Sequence, residues 1–211
     1  SINIFIIFIL IISIPIYLLS YFLYVKTPGI NGFAGIVHNQ DYMFNYHAFL
    51  DATHAFSSKW WQWILNLRPI LFYNHTYSEK IRAGISCFTN PMICYGGLVG
   101  FFYCVSKISR KFDKNIVFVL IGYLSQLLPW VFISRITFAY HYFPCIPFLI
   151  LMFTFFVKDY LHPRFGNKIL IIILCIALLL FVMFYPVLSG MPVPTYYINK
   201  FLRWFDSWQL S

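Results

Sequence analysis

Arg135 and His141 stand together between two long apolar runs, in the stretch PWVFISRITFAYHYFPCIPFL at residues 129–149. An ionisable side chain beside hydrocarbon is costly, which makes it a candidate for ligand binding. The plain alternative is an interfacial arginine whose stem lies in lipid while its head reaches water. A guanidinium offers a planar fork of donors to phosphate. Arg135 with His141 is therefore a candidate for binding an anionic ligand, and Arg68, just ahead of Pro69, could pair with a lipid phosphate.

Trp60, Trp61 and Trp63 crowd into four residues a little upstream. Indoles at headgroup depth anchor a chain in a membrane surface; their flat faces also suit the wall of a sugar or lipid site. Both readings stand for these tryptophans. His47, Asp51, His54 and Ser58 follow at spacings of four, three and four, which would align them on one face of a helix from Asp41 to Ser57. Two histidines and an aspartate on one face resemble a metal-ligand set. No further ligand is evident, so a polar face turned to water or to a cavity is the plainer reading, and no metal is expected.

Other chemistries lack their signatures. The chain has no GxSxG, Walker loop, HExxH or glycine-rich nucleotide fingerprint. The five cysteines lie mostly in apolar runs without a CxxC, so they imply neither a disulfide framework nor a zinc knuckle. Outside the tail, the acids on the polar side are Asp41, Asp51 and Glu79, too scattered to form a catalytic pair. Asn74-His75-Thr76 is a glycosylation sequon, a short motif that recurs by chance.

The elements that hold these residues are read from hydropathy. The chain is 61% hydrophobic and 10% charged, with a mean hydropathy of +0.75, outside the balance of soluble domains. Uncharged runs at 1–25, 83–106, 115–134, 136–157 and 169–199 each reach the roughly 20 residues that a helix needs to cross a bilayer. They predict five spans in a multi-pass integral membrane protein. The formal charge of +9 is spread along the chain and gathers between spans, which speaks of topology and against nucleic acid. Lys107, Arg110, Lys111 and Lys114 fill one connection, and Lys158, Arg164 and Lys168 another. The positive-inside rule assigns both to the cytoplasm. The Arg135 turn, the segment from Lys26 to Arg82 and the tail after Pro186 then face outside.

The first run lacks a basic n-region and a small-residue cleavage site, so it reads as a retained helix. The organisation expected is a transmembrane helix at 1–25, an outward loop with an interfacial amphipathic helix at 26–87, and a four-helix membrane region with an outward tail at 88–211. Gly96 and Gly100 give a GxxxG spacing for close helix approach. Tyr196 to Trp208 suggests a short helix on the outer surface. A transporter would need polar residues running through several spans, and Gln126 is nearly alone.

In order along the chain, several stretches resemble one family. They are His54 with Ser57-Ser58-Lys59-Trp60-Trp61-Gln62-Trp63, Arg68-Pro69, Asn90-Pro91, Pro129-Trp130 with Arg135, Phe138, Tyr140-His141-Tyr142, Pro144, Pro147-Phe148, and the tail from Tyr185-Pro186-Val187-Leu188-Ser189-Gly190 to Trp204. Together they look like the C-terminal four-span region of the protein O-mannosyltransferases, GT-C type enzymes of glycosyltransferase family 39. The resemblance implies an all-α integral membrane fold, the C-terminal part of a GT-C glycosyltransferase. It implies inverting transfer of mannose from a polyprenyl or dolichyl phosphate carrier to serine or threonine of an exported protein. The site would face outside at a prokaryotic plasma membrane, or into the lumen of the endoplasmic reticulum.

The implied partners are the lipid-linked sugar, which is a substrate rather than a cofactor, the acceptor protein, membrane lipid, and either a second copy or an upstream half of the same enzyme. In that family the catalytic acids lie in the first outward loop. This chain starts at about the seventh span of the family pattern, so the catalytic base is expected upstream of Ser1, with Asp51 the one local substitute. Arg135, His141, Arg68, Tyr140 and Tyr142 would then bind the carrier phosphate, and Trp60, Trp61, Trp63 and His54 would wall the sugar or lipid. The alternative is a noncatalytic subunit, a truncated transferase that binds the lipid carrier or a partner.

Overall fold

The computed structural model describes the backbone of residues 2–211 and the side chains of residues 11–211. The chain forms two units, one ending at Asp51 and one running from Ala52 to Ser211. In the first, an uncharged run makes helix α1 (Ile2–Ser20), and a tight turn leads to α2 (Gly32–Ala48). Asn39 Nδ2 donates to the Tyr21 hydroxyl at 3.2 Å and holds α2 to the chain leaving α1. Side chains 1–10 of the expected first span lie outside the described residues; Ile11–Lys26 is a shorter apolar helix.

The helix expected at Asp41 to Ser57 lies earlier in the chain. It ends at Ala48, with Phe49 as its cap. His47 therefore closes a helix, whereas Asp51, His54 and Ser58 follow on irregular chain, and the one-faced His-Asp-His stripe does not form. His54 Nδ1 instead accepts from the Phe56 N–H at 3.1 Å, a local bond that competes with helix formation.

The second unit opens with a short helix α3 (Trp60–Ile64), followed by an antiparallel hairpin of β1 (Ile70–Ser78) and β2 (Ile81–Cys87). A two-residue strand β3 (Val193–Pro194) pairs with the other edge of β2, giving the order β1-β2-β3. This small sheet is an addition to the expected helices. It takes residues 83–87, the expected start of the second span, and puts the sequon Asn74 on an exposed strand opposite Gly84. Among the described residues, four stretches are long and apolar enough to cross a membrane: Pro91–Arg110, Lys114–Phe132, Ala139–Phe165 and Lys168–Ser189. They contain α4 (Pro91–Arg110), α5 (Lys114–Leu127), α6 (Ile146–Phe156), α7 (His162–Phe165) and α8 (Lys168–Ser189).

Local chemistry sets the helix starts. Asn90 Oδ1 accepts from the Met92 N–H at 2.9 Å, with Pro91 in the first turn where its missing donor costs nothing. The Asn90 amide also donates to Ala177 O at 3.0 Å and so ties α4 to α8. Asp113 accepts from the Asn115 N–H at 3.0 Å to begin α5.

Helices α4 and α6 run side by side in the same direction. Gly97 lies against Leu149 and Gly100 against the backbone of Met152, while Lys107 and Tyr103 both bond to Asp159 beyond the end of α6. The first core joins Cys104, Ile116, Tyr123, Leu149 and Met152 with Trp63 and Tyr142. The second is built on α8 and the tail: Phe184 and Val187 pack with Phe88, Ile198, Leu202, Trp208 and Leu210. The tail thus departs from the surface helix expected at Tyr196 to Trp208. It is helical from Thr195 to Leu202 and then folds back over β2, so close that a Cβ on Gly84 would stand 2.1 Å from Leu210 O.

A Cβ on Gly100 would lie 2.4 Å from the Met152 carbonyl carbon. Gly100→Ala must push α4 and α6 apart, at an expected cost of about 1–3 kcal/mol or more. Thermal unfolding in detergent should show G100A well below wild type, with outward-facing V99A near it.

Candidate functional site

Two segments far apart in sequence meet at the end of the helices where α5 finishes. Ser58 N–H donates to Thr137 O at 2.8 Å, and Thr137 Oγ1 donates to Ser58 O at 2.7 Å. Both residues are buried, so this clasp holds without competition from water. Ser58 Oγ also accepts from Trp63 Nε1 at 2.8 Å. Trp63, 3% exposed, packs its indole edge-on to Trp130 and parallel to His141, with centroids 5.8 and 5.9 Å away.

Above the clasp lies an open cavity of about 640 Å³. On one side it is lined by Ser57, Lys59, Trp60, Trp61, Gln62 and Arg68, and on the other by Trp130, Val131, Ile133, Ser134 and Arg135. The lining holds three cations (Lys59, Arg68, Arg135) and no carboxylate. Lys59 and Arg135 pair with no acid among the described residues. Arg68 donates from Nη2 to Ala55 O at 2.8 Å, which leaves its other guanidinium nitrogens for a ligand.

Asn66 aims Arg68. It sits in the left-handed region with φ 53°, a conformation asparagine tolerates better than most residues, and turns the chain out of α3 towards β1. Its Nδ2 donates to Thr89 O at 2.8 Å, and its carbonyl accepts from Trp208 Nε1 at 2.8 Å. The tail thus braces the residue that places Arg68.

Of the residues singled out from sequence, Arg135, Arg68, Trp60 and Trp61 come together in the cavity wall. His141 lies beneath it, half-buried, its ring 4.2 Å from Trp130 and 4.4 Å from Tyr140 between centroids. Its Nδ1 is 3.1 Å from the Phe138 nitrogen and 2.9 Å from the Phe138 oxygen, so either tautomer has a backbone partner. Tyr140 is exposed and stacks on Phe138 and Phe72. His54 meets Phe138 edge-on at 5.1 Å, outside the lining.

Two expected positions differ. Tyr142 is 2% exposed and its hydroxyl bonds to Tyr123 at 2.8 Å in the first core, so it supports the site without reaching the cavity. Trp63 likewise forms the floor rather than the wall. Lys59 and Ser134 have no assigned role in the sequence reading, and Ser58 stands there on a helical stripe rather than in a clasp with Thr137. The signal for Lys59 was present, a cation set against the tryptophan cluster; the clasp joins residues with no motif in common. Among the described residues no group of three or more His, Cys, Asp or Glu is gathered for a metal. Burial pushes the Cys87 thiol up to about 11, away from the thiolate that nucleophilic chemistry needs.

Fold and site together define a multi-span membrane protein with a cation-lined, tryptophan-walled cavity at one end of its helices. The chain belongs to the protein O-mannosyltransferase family: the family described as "C-terminal four TMM region of protein-O-mannosyltransferase" matches residues 33–208. It is 27% identical over 185 residues to a polyprenol-phosphate-mannose–protein mannosyltransferase of Mycobacterium tuberculosis, covering 79% of this chain and 35% of that protein. A Corynebacterium glutamicum protein of the same name is 22% identical over 194 residues, covering 83% and 37%. The chain therefore spans about a third of the length of these curated relatives. Its fold resembles that in the structure of the Saccharomyces cerevisiae protein O-mannosyltransferase Pmt1-Pmt2 complex bound to the sugar donor. There the TM-score is 0.69 at 18% identity, over 84% of this chain and 27% of that one.

Replacing Ser58 by alanine strands the buried Trp63 N–H, an expected loss of about 1–3 kcal/mol. S58A should melt clearly below wild type, whereas S134A on the exposed rim should melt with it.

Proposed function

We propose that this chain forms the donor-phosphate-binding part of a membrane mannosyltransferase that moves mannose from a polyprenyl or dolichyl phosphate to serine or threonine of an exported protein. The observation that carries this reading is the cavity lining, with Lys59, Arg68 and Arg135 and no acid to neutralise them. A sugar phosphodiester brings the missing negative charge. Its lipid chain and its sugar also suit a wall of Trp60, Trp61 and Trp130.

The chemistry follows from charge. As the bond between the sugar and the phosphate oxygen breaks, negative charge builds on the leaving phosphate, and fixed cations stabilise that state more than the ground state. Arg135 is best suited, since its guanidinium is not committed to another group among the described residues. The acceptor hydroxyl must lose its proton to a base, and in an inverting displacement it attacks from the face opposite the phosphate. With no carboxylate in the lining, the base is assigned to a carboxylate brought by another part of the full transferase.

The distribution of cations supports transfer on the outer or lumenal side. Lys107, Arg110, Lys111, Lys114, Lys158, Arg164 and Lys168 lie in the two connections at the far ends of α4 and α6 from the cavity. By the positive-inside rule those ends are cytoplasmic, so the cavity opens outside or to the lumen. In the native polypeptide, a cysteine at Ser134 should react with a membrane-impermeant maleimide in sealed cells or correctly oriented vesicles. Labelling only after permeabilisation would reverse the orientation.

Arg135→Ala in the native polypeptide should lower kcat/KM for mannose transfer from polyprenyl phosphate mannose on the order of 100-fold, the usual loss when one preorganised charge donor is removed. Arg135→Lys should recover part of it, because a point charge lacks the planar fork. The missing acid also favours a second reading, a noncatalytic subunit that captures the lipid carrier. Full transfer by the complex with R135A in place would support that reading and sink the first.

A further inference from the structure

A second concavity lies towards the other end of the helices. Helices α6 and α8 are not packed on each other along their length. Asn90 holds α8 to α4 at Ala177, and α7 leads into α8 through the turn at Gly166. Between these two points a groove of about 740 Å³ opens. Its walls include Ile150, Phe153, Leu170, Ile173, Leu174 and Ala177, and its lip carries Lys158 and His162.

The charges at that lip are unbalanced. The neighbouring acid Asp159 faces α4, where it takes Lys107 in a salt bridge and the Tyr103 hydroxyl at 3.0 Å. Lys158 pairs with no carboxylate among the described residues. His162 is held at the lip by Nε2, 2.9 Å from Asn167 Oδ1. Arg164 stacks its guanidinium on Tyr160, 3.8 Å from the ring centroid, and stays beside the same edge. An apolar slot in a stretch long enough to cross a membrane thus ends in an excess of positive charge, because the one acid there, Asp159, is bonded to Lys107 and only acts on Lys158 through space.

We propose that this groove binds one anionic phospholipid of the bilayer, with an acyl chain between α6 and α8 and its phosphate at Lys158 and His162. The apolar walls supply chain burial, and the cationic lip supplies preference for an anionic headgroup over a zwitterionic one. The connection from Lys158 to Lys168 is on the side that the positive-inside rule assigns to the cytoplasm, where anionic lipids concentrate. The site is separate from the Arg135 cavity, which lies before α6 begins, and does not depend on its function.

The test is lipid retention by the native polypeptide, delipidated in detergent and titrated with phosphatidylglycerol or phosphatidylcholine of identical acyl chains, read by native mass spectrometry. Phosphatidylglycerol should be retained preferentially. Lys158→Gln should weaken it roughly fivefold, the effect of one basic residue near an anionic surface, and leave phosphatidylcholine unchanged. Lys114→Gln, at the same end but outside the groove, should leave the preference intact, and Ile173→Trp should fill the slot and reduce retention of both lipids. Equal retention of the two lipids, or an equal loss in K158Q and K114Q, would overturn the proposal. So would displacement of phosphatidylglycerol by polyprenyl phosphate in wild type but not K158Q, or crosslinking of a cysteine at Leu174 to another helix of the same polypeptide.

Discussion

The clasp between Ser58 and Thr137 is the contact on which the cavity depends. Two hydrogen bonds, one from the Ser58 N–H to the Thr137 carbonyl and one from the Thr137 hydroxyl to the Ser58 carbonyl, join the segment that carries Lys59, Trp60, Trp61 and Arg68 to the link that carries Arg135. Neither segment has regular structure enough to fix its own position. The link between Ile133 and Phe138 is irregular, and α3 has only five residues. Buried polar groups must find partners or cost their full desolvation. Ser58 and Thr137 meet that demand only when the two segments touch, so burial makes the alignment cooperative. The Trp63 indole extends the same logic, because its single donor is satisfied by Ser58 while its ring covers Trp130 and His141.

Arg68 depends on a different region. Asn66 turns the chain ahead of it and is bound by Thr89 before α4 and by Trp208 near the C-terminus. Trp208 in turn packs between Phe88 and Phe184, so the second core positions one cation of the cavity while the first core underlies another. The α4–α6 contact belongs to the first core. Glycines let those helices approach through backbone rather than side chains, the means by which membrane helices gain packing without a hydrophobic drive between them.

Much of this architecture was legible because hydrocarbon imposes a long, uncharged run on any crossing helix. The spans around 115–134, 136–157 and 169–199 meet their helices within a few residues at most ends, and the Arg135 cation stands out because it interrupts such runs. The hairpin was not legible. β1 is exposed from Phe72 to Ser78 and shows no alternation, whereas β2 beyond Ile81 is buried or half-buried at every position, with Gly84 against the tail, so neither strand carries a period of two. The spacing of His47, Asp51, His54 and Ser58 misled because spacing has meaning only within a continuous helix, and Phe49 ends this one. The direction of each residue in Tyr140-His141-Tyr142 was equally hidden. A 3-10 helix from Ala139 to Cys145 sends Tyr140 outward, His141 under the cavity and Tyr142 into the core, and that choice is made by Trp63 and Tyr123, outside this stretch.

Three cations around one cavity repel each other, and nothing in its lining offsets that repulsion. Folding alone gives no reason to keep them there: Lys107 shows what a stabilised cation in this chain looks like, held by Asp159. Arg68 has one carbonyl partner and Lys59 is exposed to water, so the half-buried Arg135 bears most of the cost in the empty protein and gains most from an anion. The same contrast distinguishes Arg135 from an arginine that merely snorkels, since a snorkelling head turns to open water, whereas Arg135 is half-buried in a concave wall beside Trp130. Repulsion in the empty state and its relief on binding are two sides of one electrostatic difference. On the function proposed above, that difference favours a phosphate-bearing donor over a neutral sugar as the ligand of this wall.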